Sequence, residues 1–412
     1  MRELTSICLT FEVHQPYRLK HYPNNGFMIP NKDIFNHFFD HGLDKFVFQR
    51  AANKCYYPTL DILQKHVDMF KNEKRKFKFA LNLSGTWVEQ AQMWAPELID
   101  RLKELSKSKC VEFLGSTYYH SLSSLFDRKK VEFKEQVKMQ GKMIRDLFRK
   151  RPNVFLNTEM VFDNAIGDVV SDMRFKGIFT EGIDRILGWR SPNHVYESIM
   201  NTKIKILLRN YRLSDDVGYR FSSKEWNEWP LTAEKYAYWL SSTTGDVINI
   251  AMDFETFGEH HWSDTGIFWF LNALPWKIFD HGHLEFHTPS EVLKKYPSVG
   301  SIDVPEGNAV SWADLERDTS AWLGNRMQQI GFEDLKGLEH LVKESNNKEL
   351  LKFWRMLQIS DHLYYACTKW WGDGDVHNYF SVFDTPHDGF INLFRATSDL
   401  KNRLLGRKIV SN

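Results

Sequence analysis

Residues 247–261 read VINIAMDFETFGEHH. The first six are apolar apart from Asn249, as expected of a strand buried on both faces of a parallel sheet. The next nine bring in Asp253, Glu255, Gly258, Glu259, His260 and His261. A solvated loop would explain those charges. So would the rim of an active site at a strand end. Side chains alternate along a strand, so Asn249, Ala251, Asp253 and Glu255 share one face, and Ile250, Met252 and Phe254 the other.

Six further apolar runs precede this one: ICLTFEV (7–13), FKFALNL (77–83), CVEFLG (110–115), NVFLN (153–157), KGIFT (176–180) and KIKILL (203–208). Longer polar segments of helical character separate them, such as LDILQKHVDMFKN ahead of KRKFKF. Strands alternating with helices predict a seven-stranded parallel (β/α)7 barrel over residues 1–285. An open doubly wound sheet is the competing arrangement, and no eighth strand is evident. Beyond about residue 285 helical patterns dominate, predicting a C-terminal α-helical domain over 286–412 that contributes to the rim. SWADLERDTSAWLGNRMQQI (311–330) opens with a capping box from Ser311 to Asp314 and is expected to run as an amphipathic helix. KELLKFWRMLQISDHLYYACTKWW (348–371) is expected to be another, with Leu351, Trp354, Leu357 and Leu363 on one stripe. Trp312, Trp322, Trp370 and Trp371 suit a core, and one or two suit a sugar platform at the barrel mouth.

Composition narrows the classes. Lys plus Arg number 54 against 53 for Asp plus Glu, which points to neither nucleic acid nor an anionic membrane surface. No apolar run approaches the length of a membrane span. A strand-like run begins almost at Met1, leaving no room for a signal peptide, so a cytoplasmic protein is expected. The four cysteines form no CxxC, against zinc-finger and thioredoxin readings. Aromatic residues make up 15% of the chain, a mild pointer toward flat ligands such as sugar rings.

In parallel barrels the chemistry sits at the C-terminal ends of the strands. Here those ends deliver His14-Gln15-Pro16, Ser116 to His120, Thr158-Glu159, and Asp253-Phe254-Glu255. Alternation places Phe155, Asn157 and Glu159 on one face, and Cys8, Thr10, Glu12 and His14 on the lumen face of the first strand. Glu159, Asp253 and Glu255 then converge on the lumen. Glycoside cleavage needs two carboxyl groups flanking the bond, and Glu159 with Asp253 is the candidate pair. Structural carboxylates paired with Arg or Lys are the bland reading. His14, Tyr118, His120, Glu255, His260, Trp312 and Trp322 are candidate substrate contacts, although a histidine satisfied by a core neighbour is equally compatible with the pattern. No metal is expected: His37-Phe38-Phe39-Asp40-His41 has HxxxH spacing and His281-Gly282-His283 is a close pair, but neither has a clear third ligand. No P-loop, GxSxG, GxGxxG or HExxH occurs in its proper context.

These residues resemble glycoside hydrolase family 57, the α-amylase and 4-α-glucanotransferase family, along most of the chain. His14-Gln15-Pro16, GSTYYHSL (115–122), FLNTEMVFDN (155–164), MDFETFGEHH (252–261) and SWADLERDTSAWLGN (311–325) are similar to its five marker regions. Ser116 departs from a position where the family often carries a carboxylate or Gln. The resemblance implies a (β/α)7 barrel with a helical domain, no cofactor, and an α-glucan or maltooligosaccharide as substrate. It implies a retaining α-amylase-type mechanism with Glu159 as nucleophile and Asp253 as general acid/base. Glu255 is expected to keep Asp253 protonated by like-charge repulsion. A 4-α-glucanotransferase using the same site is the alternative. A non-catalytic glucan-binding protein and a metal-dependent polysaccharide deacetylase are more distant ones. No protein partner is implied.

Overall fold

The computed structural model describes residues 4–23, 29–369 and 381–406. Trp370 and Trp371 lie outside these. Ten strands form one mostly parallel sheet: β1 (Thr5–Val13), β2 (Phe79–Leu83), β3 (Val111–Phe113), β4 (Val154–Phe155), β5 (Gly177–Glu181), β6 (Val195–Ser198), β7 (Lys205–Arg209), β8 (Val247–Asp253), β9 (Leu284–Phe286) and β10 (Ser301–Ile302). All seven apolar runs contain a strand. β6, β9 and β10 lie outside those runs. β6 is antiparallel to β7, β10 pairs in parallel with β6, and β9 runs along the start of β1.

The pairing follows β1–β2–β3 on one side and β1–β8–β7–β5–β4 on the other. A parallel bridge between Gly115 and Phe155 then links the run after β3 to β4. The Gly115 amide donates to Val154 O, and the Leu156 amide donates to Gly115 O, both at 2.9 Å. Every neighbouring pair in this circuit is parallel, so all its strands deliver their C-terminal ends to the same side.

Register explains which side chains meet. Glu12 lies opposite both Asn82 and Asp253, and Thr10 opposite Ala80 and Ala251. Paired residues project to the same face, so Glu12, Asn82 and Asp253 form one inward layer. Below it, Cys8, Ala80, Leu114, Val154, Leu156, Phe179, Leu207 and Val247 form a small apolar cluster. The helix Pro289–Lys295 contributes Val292 and Leu293 to it, so the chain just beyond residue 285 still packs with the sheet. Ile7, Leu9, Phe11 and Val13 face outward into a larger cluster with the helices Tyr57–Phe70 and Ile267–Asp280.

A second outer cluster joins the sheet to the helices Arg326–Gly337, Lys348–Leu357 and Pro386–Leu404. Arg355 grips Glu132 with two hydrogen bonds of 2.7 and 3.1 Å, fastening Lys348–Leu357 to the helix Val131–Phe148. A bidentate pair of this kind fixes orientation as well as distance.

Two helical expectations change. Residues 311–319 form no helix; the first helical turn after them is Ser320–Leu323. Their backbone is committed elsewhere: Val310 bridges Phe162 and Asp318, the Trp312 amide donates to Glu159 O, and Asp314 and Arg317 adopt left-handed φ. The 348–371 stretch breaks after Leu357 and resumes as Ser360–Tyr364, because Ile359 bridges Ser121 and the Ser360 amide donates to His120 O. Among the described residues no helix is long and apolar enough to cross a membrane. All four cysteines are buried and unpaired.

Candidate active site

A cavity of about 360 Å³ opens at the C-terminal ends of β1, β7 and β8. Glu12, His14, His120, Glu159, Asp253, Glu255, His260, Trp312 and Trp322 all line it. Tyr118 does not: its hydroxyl donates to Glu89 at 2.8 Å.

Glu159 reaches the cavity by a route that strand alternation does not describe. β4 ends at Phe155, whose ring faces outward against Phe133 and Phe175. The chain then turns through a 3-10 segment in which Glu159 has φ 56° and ψ 25°, and Met160 φ 51°. Left-handed non-glycine backbone costs energy and persists where surrounding contacts impose it. Those contacts are visible: Ser311 Oγ donates to Glu159 O at 2.8 Å, and the Trp312 amide donates to the same carbonyl.

The Glu159 carboxylate accepts from two ring donors. Trp312 Nε1–H donates to Oε2 at 2.8 Å, and His120 Nε2 lies 3.2 Å from Oε1. Burial alone would lower the His120 pKa, but Glu12 and Glu159 more than offset it and hold it up at about 9. His120 is therefore a cation at neutral pH and donates. Its Nδ1 lies 3.7 Å from Glu12, itself held by Asn82 Nδ2 at 2.9 Å. The ring stacks on His14, with centroids 3.9 Å apart and planes inclined by 20°. Burial and the His120 cation push His14 down to about 4. Neutral His14 therefore donates from Nε2 to Asp361 at 3.1 Å and accepts from Ser84 Oγ at 2.9 Å.

Asp253 differs in kind. Burial, then the neighbouring Glu159 charge, push it up to about 7, and no hydrogen bond to a described residue opposes the shift. Near neutral pH it carries its proton for much of the time. Glu255 is pushed up to about 8 by burial and then by Asp253, despite accepting from Tyr56 O–H at 2.6 Å. The repulsion between two neighbouring carboxylates is mutual, so Asp253 and Glu255 titrate as a pair. His260, pushed down to about 3 by burial and by His261, is neutral.

Trp312 is held in turn. Arg317 donates to its carbonyl and to Asp215, while the Arg209 guanidinium lies 5.6 Å from its ring centroid. Arg209 donates to Glu181 at 2.8 Å and to Asp215 at 2.6 Å. Sequence reasoning missed Arg209, Asp215, Arg317 and Asp361, all of which line the cavity. Arg209 ends the KIKILL strand, so the strand-end rule reaches it. The other three carry no comparable signal.

One atom from each of Glu12, His120 and Glu159 lies within 4.8 Å of the others, a set that could hold a cation only with His120 deprotonated. His37 and His41 lie on separate helices, Ile34–Phe38 and His41–Ala51, so their HxxxH spacing does not put them on one helical face.

A protonated carboxyl group and a second, firmly held carboxylate in one sheet-end cavity are the equipment of a glycosidase. The comparisons agree. A model of glycosyl hydrolase family 57 matches residues 8–305, and the chain belongs to that family. A Methanocaldococcus jannaschii protein provisionally named an alpha-amylase is 47% identical over 404 residues, covering 96% of this chain and 84% of that one. The 4-alpha-glucanotransferase of Thermococcus litoralis superposes with a TM-score of 0.69 at 16% identity, over 96% of this chain. This chain spans 60% of the length of that enzyme. A family 57 branching enzyme of Thermococcus kodakaraensis superposes with a TM-score of 0.66 at 14% identity, over 97% of this chain and 90% of that one.

Proposed function

We propose that this protein is a retaining α-glycosidase of the α-amylase type, acting on the α-1,4 bonds of glycogen, starch or maltooligosaccharides. The strand circuit is read as a (β/α)7 barrel, and the helices after residue 305 as a C-terminal helical domain supplying part of the rim. The observation that carries the reading is the difference between two carboxyl groups in one cavity. Glu159 accepts from Trp312 and His120. Asp253 is pushed up to about 7, and its carboxyl group has no hydrogen bond to a described residue.

Glu159 attacks the anomeric carbon as the bond to the leaving oxygen breaks, and Asp253 passes its proton to that oxygen. The product of this step is a glycosyl ester on Glu159. Asp253, now a carboxylate, removes a proton from an incoming hydroxyl, whose oxygen displaces Glu159. Water as acceptor gives hydrolysis. The 4-hydroxyl of a second glucan gives transfer, the alternative that the same residues serve. His120 and Trp312 lose part of their hydrogen bonding to Glu159 in the ester and regain it as the carboxylate leaves.

Incubation with maltoheptaose, alongside Glu159→Gln, tests the reading. Shorter sugars alone, absent with the variant, identify a hydrolase. Longer and shorter sugars together identify a glucanotransferase. No change with the wild-type protein, on maltoheptaose or on glycogen, overturns both.

A further inference from the structure

Trp262 stands two residues beyond the cavity-lining His260 and is 54% exposed. A single exposed apolar side chain is ordinary. This one is also braced. The Lys54 ammonium sits 4.5 Å from its ring centroid, covering one face. The loop that presents it is pinned on both sides. Gly258 has φ +110°, and a Cβ there would lie 2.0 Å from the Lys54 carbonyl oxygen. The Gly258 amide donates to His261 O at 2.9 Å, and Arg50 pairs with Glu259. Ser222 Oγ lies 2.7 Å from His261 Nδ1, and the Phe221 and His261 rings meet at 5.7 Å. That last pair of contacts joins the loop to the segment carrying Tyr219, which lines the cavity and is 53% exposed.

We infer that Trp262 is a stacking platform for a glucose unit of an α-glucan chain that extends out of the cavity, and that Tyr219 lies on the same track. The inference rests on the α-glucan reading of the cavity. An aromatic ring offers a flat, weakly negative face, and the axial C–H groups of a glucopyranose form a flat, weakly positive one. A ring braced from behind by a cation and carried on a pinned loop loses little freedom when a sugar stacks on it, which is how a preorganised site gains affinity. The occupant is the substrate chain itself, because one continuous loop runs from Asp253 through His260 to Trp262.

A platform outside the cavity acts only on chains long enough to reach it. The test compares kcat/KM on amylose with that on maltotriose for wild type, Trp262→Gln and Trp262→Phe, all three matched for melting temperature. Trp262→Gln is expected to lower the amylose-to-maltotriose ratio about three- to tenfold, through KM. Trp262→Phe, which keeps a stacking face, is expected to preserve most of it. An unchanged ratio in Trp262→Gln, or equal losses on both substrates, overturns the inference. Should wild type cleave neither sugar, the failure belongs to the catalytic reading, and native gels cast with amylose decide the platform. Retardation of wild type that Trp262→Gln loses supports it, and no retardation of wild type overturns it.

Discussion

Trp312 donates its indole N–H to the Glu159 carboxylate at 2.8 Å, across 153 positions of sequence. The residues after β10 thus hold a side chain that leaves the chain at the end of β4. Arg317 joins the same unit by donating to the Trp312 carbonyl and to Asp215.

Trp312→Phe keeps an aromatic ring, though a smaller one, and removes the donor. A hydrogen bond to a charged group contributes about 1.5–3 kcal/mol, so kcat is expected to fall about 10- to 100-fold with a smaller change in KM. Arg317→Ala should lower kcat through the same ring. The double variant should then lose less than the product of the two single losses, because neighbouring groups acting through one contact are not additive. Fully multiplicative losses would mean that Arg317 does not act through Trp312.

Asp253 must carry a proton to assist departure of the leaving sugar. Burial and the Glu159 charge place that proton's loss at about pH 7. kcat/KM is therefore expected to decline as pH rises past about 7. Glu255 is raised as well, by burial and then by Asp253. That repulsion is mutual, so Glu255→Gln, which keeps an acceptor for Tyr56, is expected to move the basic limb to lower pH. A limb that stays in place would refute the repulsion.

Much of this site is readable in the chain because strands simplify it. Period-two alternation puts Glu12 and Asp253 on the inner face, and parallel pairing then sets them opposite each other. Alternation fails for Glu159, since β4 is two residues long and a left-handed turn replaces it. Helical periodicity likewise misreads residues 311–319, because their polar groups serve Glu159 and Asp215 instead of a helix. Asp361 is illegible for a different reason. It becomes a partner of His14 only because the Ile359–Ser121 bridge stops a helix whose pattern would otherwise continue.

The raised pKa of Asp253 also has a cost in stability. Its ordinary value is about 4. Below pH about 4 the group is protonated whether the chain is folded or not, and no penalty exists. Between about 4 and 7 the unfolded chain releases the proton and the folded one keeps it, so stability falls as pH rises; the loss is complete above about 7. Asp253→Asn removes the charge. It is expected to abolish activity and to stabilise the fold at pH 8 by about 2–4 kcal/mol. The gain should vanish at pH 4. Thermal melting of both proteins at the two pH values checks this, and a gain independent of pH would refute the linkage.

If Glu159 is the nucleophile, its removal leaves a gap beside the anomeric carbon that a small anion can enter. Glu159→Ala should lower kcat on the order of 10³-fold or more. An α-maltoside with a good leaving group needs little help from Asp253, so azide should restore part of the rate. Azide then attacks from the face that Glu159 occupied, in a single displacement, and the product is the β-glycosyl azide. An enzyme that used Glu159 only to activate water could give the same azide product, so the wild-type product must be read as well. Two displacements in wild type release the α-anomer first, visible by NMR before mutarotation mixes the anomers. An α-anomer from wild type together with a β-azide from the variant assigns Glu159 as nucleophile. A β-anomer from wild type would reassign Glu159 as a base and replace the covalent intermediate with direct attack by water.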